Sequence, residues 1–194
     1  LQADETLGRK LSKVIFEGPE DELKQTLNTQ PGITATSIAC MKAMEELLGS
    51  ENMPIANLMA GHSLGEYTAL SAAGVLDIAD TLKLVLKRGE LMQQACEENP
   101  GAMAAIIGLD ETSMTEIVIQ TGTYISNINM PDQIVISGEN MSIARAIDLA
   151  KARGAKRAIP LKVGGAFHSG LMEPAKDGLI EAISNLDFHD PLVP

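Results

Sequence analysis

The sequence predicts an α/β protein in two parts, a larger one built on a parallel sheet and a smaller one inserted into it. Three observations point there. Gly61-His62-Ser63-Leu64-Gly65-Glu66-Tyr67 stands between an apolar run, residues 54–60, and the start of a helix. Across residues 102–163 the pattern reads β-α-β-β-α-β, the order of a split ferredoxin-like arrangement. Gly164 and Gly165 then lead into Phe167-His168-Ser169 and a new helix, as expected where a chain returns from an insertion. These boundaries give a larger, incomplete subdomain, 1–101 with 164–194, and a smaller one, 102–163.

Residues 1–14 read as a helix with Leu7, Leu11 and Val14 on one face. Beginning inside such a pattern, without a methionine, predicts that the natural chain starts earlier. Glu17-Gly18-Pro19-Glu20 is a break, and Pro19 opens a short helix to residue 27. Residues 28–32 read as a turn. Residues 33–48 carry Ile38, Met41, Met44 and Leu48 at helical spacing and stop at Gly49. Residues 52–60 are too continuously apolar to alternate, which predicts a strand buried on both faces. A helix follows the glycine-serine motif as far as Gly74, and Asp77 is placed to cap another over 79–94. In the smaller part, strands are expected at 102–108, 123–128, 133–137 and 155–163, with helices at 111–120 and 141–153. A last helix covers 171–185, and 187–194 stop without a finished element.

With 194 residues, 45% of them apolar, the chain has material for a sizeable core. A net charge of −11, with two Tyr, three Phe and no Trp, argues against nucleic acid, which requires basic surfaces and stacking platforms. No run approaches a membrane span, and no basic-then-apolar leader is visible. Cys40 and Cys96 lack metal-ligand spacing and read as reduced thiols of a cytoplasmic protein. No metal and no cofactor are expected.

G-x-S-x-G between a strand and a helix is the pattern of a nucleophile elbow, in an α/β-hydrolase-like setting. The serine sits in a strained turn, so glycines on both sides are expected where backbone segments approach. An oxyanion forming there would meet the next backbone N–H groups and the positive end of the helix dipole. Serine needs a base, and only His62, His168 and His189 exist. His168 follows a strand and a glycine pair, where α/β proteins gather their site residues. His62 points away from the Ser63 hydroxyl by alternation and shapes the site, while His189 lies in a polar tail. No third acidic member stands out, so a Ser–His dyad is as consistent as a triad. Arg88 shares its helical face with Leu84, Val85, Leu91 and Met92, all apolar. A guanidinium there needs an acceptor. It either reaches water or a distant carboxylate, or grips the carboxylate of a substrate through paired hydrogen bonds.

Taken in order, Gly61-His62-Ser63-Leu64-Gly65-Glu66-Tyr67, Arg88-Gly89-x-Leu91-Met92 and Ala166-Phe167-His168-Ser169 resemble the malonyl-CoA:acyl carrier protein transacylases. These form the acyltransferase domain family of fatty acid and polyketide synthases. Phe16-Glu17-Gly18-Pro19, Asn28-Thr29-Gln30-Pro31 and Asn127-x-Asn129-x-Pro131-x-Gln133 agree with it, and the likeness runs along nearly the whole chain. It implies that Ser63 attacks the thioester of malonyl-CoA with His168 as base, and that the thiol of acyl carrier protein then takes the malonyl group in a ping-pong transfer. It further implies that Arg88 pairs with the malonyl carboxylate, that Met92 and Phe167 line the acyl pocket, and that Leu64 N–H supplies half the oxyanion hole. A bulky Phe167 beside His168 implies a malonyl preference over α-methyl analogues, leaky because one methyl is worth only about 1–3 kcal/mol.

Two features of the family have no counterpart here: an N-terminal strand with a Gly-Gln-Gly-rich loop that completes the oxyanion hole, and a C-terminal residue that orients the histidine. Their absence predicts a weakly active or inactive piece. Lys151, Arg153, Lys156, Arg157 and Lys162 form a basic run in an acidic chain. Lys156 and Arg157 are the expected docking residues for an acidic carrier, since a local patch steers against a repulsive net charge. A monomer is expected. The competing readings are a polyketide-pathway acyltransferase acting in trans, a serine acyl hydrolase or thioesterase of the same fold, and a catalytically dead carrier-binding module.

Overall fold

A computed structural model describes residues 2–194. The chain forms two compact units, Leu1–Glu90 with Leu179–Pro194, and Leu91–Gly178.

In the first unit, α1 (Gln2–Leu7) and α2 (Leu11–Glu17) replace the single opening helix expected over 1–14. Gly8, at φ 61°, leaves the helical region and breaks it. After α3 (Glu20–Leu23) comes α4 (Thr26–Leu48), which runs straight through the 28–32 segment expected to turn. Side chains explain the difference. Asn28 Nδ2 donates to the Glu22 carbonyl at 2.8 Å and Thr29 Oγ1 to that of Leu23 at 2.5 Å. These bonds anchor the first turns of α4, which continues although Pro31, buried inside it, removes one backbone donor and crowds the carbonyl four residues before it.

A 3₁₀ turn (Ser50–Asn52) leads into residues 53–62, which form no strand, so the buried strand expected over 52–60 is absent. A strand needs a neighbour to satisfy its backbone. Here the Met59 N–H donates to the Pro194 carbonyl at 2.8 Å, with no ladder, and Ile55 and Leu58 are 90% and 68% exposed. Among the described residues this unit has no strand, so the parallel sheet expected of it is not found. Helix α5 (Leu64–Ala72) follows, then α6 (Ile78–Glu98), whose start Asp77 caps by accepting from the Asp80 N–H at 2.7 Å. Helix α6 passes close to the start of α4 at Gly89. A Cβ there would stand 3.1 Å from both the Leu27 Cα and the Thr26 carbonyl oxygen. That backbone-to-backbone approach sets the spacing of the two helices.

The second unit carries the element order read from its sequence: β1 (Gly101–Ile107), α7 (Glu111–Thr121), β2 (Tyr124–Met130), β3 (Gln133–Glu139), α8 (Asn140–Ala152) and β4 (Arg157–Pro160). The sheet order is β2-β3-β1-β4, with every pair antiparallel. Ala104, Ile106, Ile134 and Ile136 face Met114, Ile117, Ile143 and Ala146 of the two helices and make the core. Strand β4 is shorter than the expected 155–163, although the Leu161 N–H still donates to the Met103 carbonyl at 2.9 Å just past its end. Helix α9 (Pro174–Ser184) closes the series.

Asp110 caps α7 by accepting the Ser113 N–H at 2.8 Å, and this bond holds its carboxyl below the usual carboxylate range. A depressed acid contributes stability above the usual range and loses it as pH falls through the lowered value. Asp110→Ala is therefore expected to lower Tm at neutral pH, with the gap from the parent closing on acidification. A pH-independent gap in thermal melts would count against the cap.

Candidate active site

The turn into α5 is tight. The Gly65 N–H donates to the His62 carbonyl at 2.9 Å and the Glu66 N–H to that of Ser63 at 3.2 Å. A Cβ on Gly61 would overlap the Gly65 carbonyl group and the Glu66 nitrogen, so only glycine fits at the entry. A Cβ on Gly65, in contrast, would have nothing within 4 Å of it, so packing does not require the second glycine as the motif suggested. Ser63 itself has φ 51° and ψ −109°. Leu64 opens the helix, whose first N–H groups have no carbonyl within it to bind. His62 is exposed beside the serine.

Arg88 projects from α6 among buried Leu84 and Val85 and is itself only 8% exposed. Its Nη1 donates to Gln30 Oε1 at 2.5 Å and its Nη2 to Ser63 Oγ at 3.1 Å. The guanidinium carbon lies 5.4 Å from the centroid of the Tyr67 ring. Burial pushes the Tyr67 phenol up, against the opposing pull of the Arg88 charge. The Gln30 and Ser63 acceptors of Arg88 are both neutral. The sequence therefore placed the cation on its apolar face correctly, and the structure adds Gln30 and Tyr67, which it did not single out as site residues. Gln30 sits in the segment that reads as a turn, and Tyr67 is one turn along α5 from Ser63.

In the second unit, Met92 is half-buried one turn beyond Arg88 along α6. Phe167 is half-buried, and His168 is exposed with φ 56°. Among the described residues, Ser63 and His168 are the two non-glycine residues at positive φ. Such conformations persist where surrounding structure enforces them, and they concentrate at functional sites. The pair coincides with the serine and histidine singled out from sequence. Lys156 and Arg157 are exposed at the start of β4, while Arg153 of the same basic run is paired with Glu116 at 2.6 Å. Among the described residues no cluster of His, Cys, Asp and Glu suits a metal ion, and no helix is long and apolar enough to cross a membrane.

Known proteins place these features in a family. The malonyl CoA-acyl carrier protein transacylase of Bacillus subtilis is 47% identical over 198 residues, covering 100% of this chain and 61% of that protein. An acyl carrier protein S-malonyltransferase from Vibrio cholerae superposes with a TM-score of 0.92 at 40% identity, over 100% of this chain and 63% of that one. A malonyl-transacylase solved in complex with its type II PKS acyl-carrier protein superposes with a TM-score of 0.91 at 42% identity, over 100% and 62%. The chain thus spans somewhat over three-fifths of the length of these relatives. Residues 2–194 match the family described as acyl transferase domain, and with that match running through the serine turn, the buried arginine and the histidine loop, the chain belongs to that family.

Proposed function

We propose that the chain carries the machinery for moving a malonyl group from malonyl-CoA to the phosphopantetheine thiol of acyl carrier protein. The observation that carries this reading is the Arg88 guanidinium, buried and hydrogen-bonded to Ser63 Oγ. Ser63 Oγ attacks the thioester carbonyl, His168 takes the hydroxyl proton, and the Leu64 N–H helps hold the oxyanion. Collapse of the tetrahedral species breaks the carbon–sulfur bond, and His168 returns the proton to the CoA thiolate. The carrier thiol then attacks the ester, His168 taking its proton and passing it to the Ser63 oxygen that leaves.

Arg88 fits this substrate in particular. In the resting protein its Nη2 donates to Oγ. Once Oγ becomes an ester oxygen it is a poor acceptor, and the malonyl carboxylate, three bonds further on, becomes the natural partner. An acyl hydrolase for neutral chains has no use for a buried cation at that point, which disfavours the hydrolase reading. The relative solved with its carrier protein supports a carrier partner, and Lys156 and Arg157 remain the residues proposed to meet it. Met92 and Phe167 are proposed to line the acyl pocket, and His62 to shape its rim. The four-stranded unit is read as a ferredoxin-like subdomain, and the helical unit as part of an α/β-hydrolase-like one.

Intact-protein mass spectrometry after brief exposure to malonyl-CoA tests the reading. A malonyl adduct on Ser63, absent from Ser63→Ala, is expected. An adduct on another residue, or one undiminished in Ser63→Ala, would overturn it.

A further inference from the structure

Strand β2 shifts register against β3 between Ile125 and Asn127, leaving Ser126 without a partner across the ladder. Such a bulge turns one side chain out of the strand's alternation and recurs beside active sites. Here the re-aimed group is a hydroxyl. Ser126 Oγ lies 2.5 Å from Oγ of Ser137, which is fully buried, and 3.2 Å from the Phe167 carbonyl oxygen. Its proton is thus shared between two acceptors.

The loop that receives this bond is held on both sides. Ala166 is fully buried, and a Cβ on Gly101 would stand 2.6 Å from the Ala166 Cβ. Ser169 Oγ donates to the Ala166 carbonyl at 2.6 Å and accepts the Leu171 N–H at 3.2 Å. Between these anchors lies the Phe167–His168 peptide. Its carbonyl and the His168 N–H share one plane, and φ of His168 is measured against that plane. Fixing the Phe167 oxygen therefore fixes the reference from which the positive φ of His168, 56°, aims the imidazole.

We propose that Ser126, backed by Ser137, is a positioning residue that sets the His168 imidazole through the Phe167 peptide plane. This rests on the reading of His168 as the general base. The test is single-turnover acylation by malonyl-CoA, followed by mass spectrometry, in the parent, Ser126→Ala, Ser126→Thr and His168→Ala. Ser126→Ala is expected to slow the first-order acylation step about 10- to 100-fold, the scale of a misplaced catalytic group, without moving the malonyl-CoA concentration that gives half the maximal rate. Ser126→Thr, which keeps the hydroxyl, recovers most of the rate. A first-order constant does not depend on the fraction folded, so instability appears in the amplitude instead. A Ser126→Ala rate matching the parent while His168→Ala is inactive overturns the proposal, as does a threonine variant no faster than alanine. A His168→Ala protein that acylates at the parental rate overturns the reading of the base itself.

Discussion

Gly61→Ala is expected to abolish acyl-serine formation, while Gly65→Ala leaves it within a few-fold of the parent. The two glycines frame the same serine, but their surroundings differ. A methyl group on Gly61 would fall on the Gly65 carbonyl and the Glu66 nitrogen, which are backbone atoms of the helix start. No rotamer change relieves such a clash. Either the turn opens, and Ser63 leaves its positive φ, or the entry to α5 unravels. Both outcomes take Oγ away from Arg88 Nη2, now 3.1 Å distant. A displacement of this kind costs at least about 100-fold in rate. Gly65 lies in the first turn of α5 with open space around it, and alanine is a better helix former there. Acylation monitored by mass, beside circular dichroism for the folded fraction, separates the two variants. A Gly61→Ala protein acylated at the parental rate would show that the overlap is not enforced, and an inactive Gly65→Ala would restore the symmetrical view of the motif.

The candidate site residues stand out in the sequence because they lie in short-range pattern. Ser63 follows from the glycines around it, and Arg88 stands out because Leu84 and Val85 on its face are apolar, as their burial bears out. The β-α-β-β-α-β order was legible because each element is short, periodic and bounded by turn residues. What depends on packing at long range was not. Asn28-Thr29-Gln30-Pro31-Gly32 has the composition of a turn, yet bonds to Glu22 and Leu23 and the close passage of Gly89 make it the opening of α4. That misreading hid Gln30. Residues 52–60 have the composition of a buried strand, but strand character comes from a paired neighbour rather than from apolarity. Ser126 suits a regular strand as well as a bulge, so nothing in its identity marks the register shift.

Gln30→Glu is expected to remove the preference for malonyl-CoA more severely than Gln30→Ala. Gln30 Oε1 holds Nη1 of Arg88 at 2.5 Å without neutralising it, in a position where both groups are buried. The amide thereby orients the cation and leaves its charge for another partner. A glutamate of the same shape would form a buried ion pair with Arg88, and an incoming malonyl carboxylate would face a neutral pair with one like charge in it. The loss expected for malonyl-CoA is at least about 100-fold, the scale of a charge-assisted bond in a buried setting, whereas acetyl-CoA, with no carboxylate, changes by less than about 10-fold. Gln30→Ala frees the guanidinium to wander but keeps its charge, so a loss of about 10-fold is expected. Arg88→Ala should match Gln30→Glu in selectivity, and the double variant should be no worse than Arg88→Ala alone, because both act through one cation. Acylation rates with the two thioesters across this set decide the matter. Equal losses for the glutamate and alanine variants would mean that Gln30 matters only for shape. Equal losses for malonyl- and acetyl-CoA would mean that Arg88 serves the serine rather than the substrate's far carboxylate.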